Sequence, residues 1–147
     1  MRKMTDASEY LIAEMQDEGH RVRPLRRGLV EIFAMRRSPL TLKEIQDILG
    51  KKRIVHHRVS LHRELRFLLS WHIIAPVTFA DGSTRYESNT HGHHHHLICT
   101  GCSEVVDIEI PEGDLIKMGT KFADEHSFSI NEHSLEFFGL CKKCKRS

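Results

Sequence analysis

The apolar positions of this chain change period near its middle. Tyr10, Leu11 and Met15 recur at helical spacing, which predicts a first helix over Thr5–Met15 that ends at Gly19. Pro24 suits a first helical turn, and Leu25, Leu29, Ile32 and Phe33 mark one face of a second helix. Ser38-Pro39-Leu40 interrupts the pattern. Thr41-Leu-Lys-Glu44 then reads as a capping box opening a third short helix, with Gly50 expected to stop it. Leu61, Leu65, Leu68 and Leu69 form the stripe of a fourth helix over about Arg58–Trp71. Beyond it the period shortens to two. Ile73–Phe79, a turn at Asp81-Gly82, and Thr84–Glu87 predict a β-hairpin.

Helices followed by a two-stranded hairpin are the order of a winged helix-turn-helix, whose last helix enters the major groove of DNA. The predicted fourth helix carries Arg58, His62, Arg63 and Arg66 on the face opposite its leucines. Residues 1–88 form this first domain, and Ser88–Gly92 is a polar stretch whose residues 89–92 read as a hinge. Within 93–147, Leu97-Ile98, Val105–Ile108 and Ser134–Phe137 read as strands, and a helix runs from Pro111-Glu112 to about His126. The fold class is therefore α+β. The second domain is small for a core of its own, so a metal staple or self-association is expected to complete it.

Charge sharpens this division. The net charge of +2 splits into 16 basic against 11 acidic residues over 1–88, and 6 against 9 over 89–147. Over 21–66 the count is 13 against 4, which points to a polyanionic partner for the first domain. No apolar run approaches the length of a membrane span. The acidic first twenty residues do not read as a secretory signal, so a cytoplasmic location is expected.

The chemistry lies in the second domain. Cys99-x2-Cys102 and Cys141-x2-Cys144 supply four thiolates, a set that closes a tetrahedral zinc shell and leaves no open position for catalysis. His93–His96 precedes the first pair. In an extended strand His93 and His95 face one side and His94 and His96 the other, so the run can serve two sites. Carboxylates within reach in sequence are Glu87, Glu112 and Asp114, with His133 as a further imidazole. An exposed histidine run without function is the plain alternative. There is no GxSxG, phosphate-binding glycine loop or HExxH. The competing classes are a zinc-dependent hydrolase and a metal-buffering protein without specific DNA binding. The basic stretch at 21–66 argues against both.

Gly19–Arg26, Arg85-Tyr-Glu87, His93–Cys102 and His133–Cys144, in this order and spacing, resemble the Fur (ferric uptake regulator) family. The resemblance implies a dimeric, metal-responsive repressor of metal-homeostasis genes that binds promoter DNA and acts on no small-molecule substrate. By position, Cys99, Cys102, Cys141 and Cys144 resemble its structural zinc site. Glu87, His94 and His96 resemble its regulatory site for zinc or iron(II). His93, His95 and His133, with Asp114 or Glu112, resemble its additional metal site. Arg21 matches the basic residue that reaches the minor groove, and His62-Arg63 matches the recognition-helix Tyr-Arg pair. Two departures stand out. Ser38-Pro39-Leu40 occupies the place of a usual sensor histidine, and His62 replaces tyrosine. Glu87, where the family's peroxide sensors generally have aspartate, favours metal over peroxide sensing.

Overall fold

The structure is a computed structural model and describes residues 2–92, 94–131 and 133–146. It divides into two compact units, residues 1–92 and 93–147. Among the described residues no helix is long and apolar enough to cross a membrane.

The first unit opens with α1 (Arg2–Asp17), α2 (Pro24–Met35), α3 (Leu42–Lys51) and α4 (Arg58–Ser70). The hairpin β1 (Ile74–Thr78) and β2 (Thr84–Ser88) follows. Helix α1 starts earlier than its apolar spacing predicted, and it buries Ser8, Ile12 and Met15 along one line. Gly19 lies at φ +80°, a region open to glycine, and there the chain turns off α1 toward α2. Leu29, Ile32 and Phe33 of α2 close on Ile45 and Leu49 of α3 and on Leu61, Leu65 and Leu68 of α4. Three ion pairs radiate from α2. Arg27 reaches Glu9 on α1 and Glu31 reaches Lys52 after α3, each at 2.8 Å; Arg26 reaches Glu64 on α4 at 2.7 Å. The first two are exposed and contribute about 0–1 kcal/mol each.

The capping box at α3 forms as the sequence predicts. Thr41 Oγ1 accepts from the Glu44 N–H at 3.1 Å, and Glu44 accepts from the Thr41 N–H at 2.7 Å. Gly50 does not stop the helix, which continues through Lys51. The Lys52 N–H still reaches the Ile48 carbonyl at 3.0 Å, and the break comes at Arg53, left-handed at φ 58°. There the Ile54 N–H closes back on the Leu49 carbonyl at 3.0 Å.

Leu40 forms a bridge with Tyr86, two backbone bonds at 2.8 and 2.9 Å, so the segment before α3 borders the wing. The hairpin pairs Ile74 with Ser88 through Thr78 with Thr84. Asn89 anchors the chain where it leaves the wing: its N–H reaches the Ile73 carbonyl and its side chain the His72 carbonyl.

The second unit holds β3 (His95–Cys99), β4 (Val105–Ile108), α5 (Glu112–His126) and β5 (Glu136–Gly139). The sheet order is β4-β3-β5, antiparallel on one side of β3 and parallel on the other. Strand β5 begins at Glu136 rather than at Ser134, whose hydroxyl donates to the Glu136 carboxylate at 2.9 Å. Among the described residues the buried apolar positions of this second unit are only Ile98 and Cys99. Leu97, Val106 and Phe137 stand in register across the three strands, each more than 40% exposed. Ile116, Met118 and Phe122 of α5 are exposed as well.

Candidate metal centres and nucleic-acid face

Strand β3 ends in the first cysteine pair, and β5 runs parallel to it into the second. That pairing brings residues some 40 positions apart onto one spot. The four Sγ atoms lie within 4.8 Å of one another, with Cys102 and Cys141 at 3.7 Å. Zinc–sulfur bonds of about 2.3 Å at tetrahedral angles place sulfurs roughly 3.8 Å apart, so four reduced thiols with this spacing fit zinc. The backbone prepares the charge. The Cys141 N–H, 3.3 Å from Cys99 Sγ, and then the Cys102 N–H lower the Cys99 thiol to about 6. Cys144 is pushed up to about 12, first by the Cys102 thiol and then by those of Cys141 and Cys99. One sulfur is thus ready to ionise, and metal binding must displace protons from its neighbours.

Gly101 makes the close approach possible. A Cβ there would lie 2.9 Å from Cys144 Sγ and 3.1 Å from its Cβ. Gly101→Ala is therefore expected to displace the fourth sulfur and weaken zinc binding by about tenfold, read by competition with a chromogenic chelator. An unchanged affinity would mean that the knuckle yields without cost.

His94, just before β3, and His95 and His96 within it alternate in direction. His94 and His96 lie edge to face with ring centroids 4.9 Å apart, and their ring nitrogens come within 4.8 Å. His95 turns instead toward His133, ring centroids 5.5 Å apart. Both His95 and His96 are buried. Among the described residues no third donor completes a close-set group around His95 and His133. Asp114 is exposed in the first turn of α5, while His93 and the Glu112 side chain lie outside what the structure describes. Glu87, at the end of β2 in the first unit, is buried.

One acid escaped the sequence reading. Asp107 pairs with His96 in the β3–β4 register, and its Oδ1 lies 3.9 Å from His96 Nε2. The signal was available, since a carboxylate sits alone inside the apolar run Val105–Ile108, but the pairing that gives it a partner is not written in the run.

On the first unit, α4 presents Arg58, Arg63 and Arg66 to solvent, with His62 half-buried beside them. Val59 on this face and Val55 just before the helix are 79% and 95% exposed, the positions sequence reasoning passed over. Two bare valines among arginines suit a surface that meets base edges and thymine methyl groups. Arg21 is exposed in the arm ahead of α2.

A winged helix-turn-helix followed by a small α/β unit with candidate metal centres is the build of a ligand-gated DNA-binding regulator. The Ferric uptake regulator family matches residues 17–138, and the chain belongs to this family of dimeric, metal-responsive transcription regulators, which are not enzymes. It is 29% identical over 137 residues to the peroxide-responsive repressor PerR of Staphylococcus epidermidis, a match covering 93% of this chain and 89% of that one. Its fold is shared with the ferric uptake regulator Fur of Helicobacter pylori, described as having three functional metal binding sites. The TM-score is 0.77 at 22% identity, over 98% of this chain and 95% of that one. A zinc uptake regulator complexed with zinc and DNA aligns at TM-score 0.70 and 18% identity, over 99% and 97%.

Proposed function

We propose that this protein is a cytoplasmic, homodimeric repressor of metal-homeostasis genes, with structural zinc on Cys99, Cys102, Cys141 and Cys144 and zinc or iron(II) as corepressor. The observation that carries the reading is the exposed basic face of α4, with Arg58, Arg63 and Arg66 free of the core that the same helix anchors. DNA contacts are assigned to these three, to His62, and to Arg21 of the arm. Residues 89–92 serve as the hinge between a DNA-binding domain, 1–88, and a dimerisation domain, 93–147. The apolar row Leu97, Val106 and Phe137 supports self-association, because a stable monomer rarely leaves such a patch open.

The corepressor site is assigned to Glu87, His94 and His96, with Asp107 as the fourth donor where the histidine before α3 is absent. Glu87 lies seven residues before His94, close enough along the chain for one ion to take both. Two imidazoles with two carboxylates suit zinc and iron(II). A bound ion supplies a cross-link that favours one hinge arrangement by its differential affinity for it. His95 and His133, with His93 and Asp114 or Glu112, are assigned to an additional site. The likeness to PerR favours a second reading, in which iron bound at the corepressor site makes the regulator peroxide-responsive. The hydrolase and buffering readings have no support from the family.

The test is binding to fluorescent promoter duplexes of the source genome, at fixed salt, metal-depleted and then with zinc or with anaerobic iron(II). Tightening with one ion supports the proposal and identifies the corepressor. No binding under any condition removes it. Arg63→Ala is expected to weaken DNA binding by about 5- to 100-fold and leave metal content unchanged, as measured by elemental analysis. Undiminished affinity would show that α4 is not the reading helix.

A further inference from the structure

Helix α4 has a single acid, Glu64, and it does not lie where an acid is expected. Its Oε1 lies 4.0 Å from Nε of the exposed Arg63, but the side chain is not on the solvent face among the arginines. It stands in the core-facing stripe with Leu61, Leu65 and Leu68, 8% exposed. A carboxylate there demands a partner, and Arg26 of α2 supplies one: its Nε donates to Glu64 Oε2 at 2.7 Å. The same guanidinium lies 3.6 Å from the centre of the Phe67 ring, one turn further along α4. Phe67 stacks on Trp71, and His20 sets its edge against both rings. Nη1 of Arg26 donates to the Arg21 carbonyl at 3.4 Å. One side chain therefore grips α4 at two points and touches the arm that precedes α2.

We infer that Arg26 and Glu64 form a buried strut that holds the Arg21 arm and the reading face of α4 in one fixed geometry, so that the two address adjoining DNA grooves in register. Both are positioning residues, and neither touches DNA. The inference rests on the DNA-binding reading above. A buried ion pair is a weak source of stability compared with apolar packing of the same volume, so its presence in a leucine stripe calls for a role in geometry. Lysine at 26 would keep the charge but lack the planar fork that meets a carboxylate, a carbonyl and a ring together.

The sign of the effect separates this role from the others. Glu64→Gln removes a negative charge from a DNA-binding unit. Electrostatics alone predicts tighter binding to every duplex. Simple destabilisation predicts weaker binding to every duplex. A strut predicts that sequence discrimination falls while binding to random DNA holds or rises. The probes are duplexes of about 30 base pairs: a pool selected by the zinc-loaded parent protein, and the unselected random pool. The expected result is a loss of about tenfold in the affinity ratio between the two pools. Arg26→Met combined with Glu64→Leu replaces the pair by apolar packing, so folding and zinc content are kept while the ratio falls equally. Thermal unfolding and zinc content are measured alongside. A parental ratio in either variant would overturn the strut. If the parent enriches no sequence from the pool when loaded with zinc or, under anaerobic conditions, with iron(II), the DNA-binding reading fails and takes the strut with it.

Discussion

Removing zinc from the four cysteines is expected to unfold residues 93–147 and leave the first unit folded. The two units differ in what holds them. Residues 1–92 enclose a core in which Met15, Leu29, Ile45, Leu49, Leu61 and Leu68 are fully buried. Among the described residues of the second unit only Ile98 and Cys99 are buried apolar side chains. Its chain ends meet at the cysteine cluster, where the Thr100 N–H also reaches the Gly139 carbonyl at 2.8 Å. A structural zinc contributes about 10 kcal/mol or more to a fold that forms around it, several times what so small an apolar core offers. Cys102→Ser, or a strong chelator on the full chain, should therefore release the metal and abolish amide protection in β3, β4 and β5. Amides of α2 and α4 should exchange as before. The dimer should dissociate in the same step, seen by sedimentation. Hydrogen exchange with mass spectrometry checks the first outcome residue by residue. Retained protection in the three strands after quantitative metal removal would assign the stability of this unit to packing across the dimer.

How much of this was legible beforehand depended on how local each signal was. The capping box at Thr41 and Glu44 is a four-residue statement, and it forms as written. The leucine stripe of α4 identified the helix and, by exclusion, the exposed arginines. Gly50 misled because a glycine inside a helix costs only about 1 kcal/mol, less than Leu49 and Ile45 regain on burial. Asp107 was missed for a different reason. Its meaning depends on the β3–β4 register, and register is a property of two segments at once. Glu64 was hidden in the same way. In sequence it is one charge in a basic helix. Only the packing of α2 against α4 turns it into half of a buried pair. The contact between His95 and His133 likewise needs the crossover that brings the chain after α5 back beside β3.

His96→Ala is expected to abolish the metal-dependent gain in DNA affinity while leaving one zinc per chain on the cysteines. A corepressor changes affinity only as far as it binds one hinge arrangement better than the other, and such couplings amount to about 1–3 kcal/mol, or roughly 5- to 150-fold. His96 is 2% exposed and lies beside both His94 and Asp107, so its loss removes one of the two imidazoles at the centre of the proposed site and weakens its hold on an ion. Glu87→Ala should act in the same direction if, as proposed, Glu87 is one of the donors. Asp107→Ala discriminates further. If Asp107 stands in for the histidine absent at Ser38-Pro39-Leu40, its loss should flatten the metal response almost as fully as the loss of His96. Binding isotherms for each variant, depleted and loaded, decide this. A variant whose apo and loaded isotherms coincide, with cysteine-bound zinc retained, has lost sensing alone. If His96→Ala keeps the full response, the corepressor binds elsewhere, and His95 with His133 becomes the place to look. The iron-loaded parent exposed to peroxide supplies the remaining comparison. Release of DNA there, but not from the zinc-loaded protein, would favour the PerR-like reading despite glutamate at position 87.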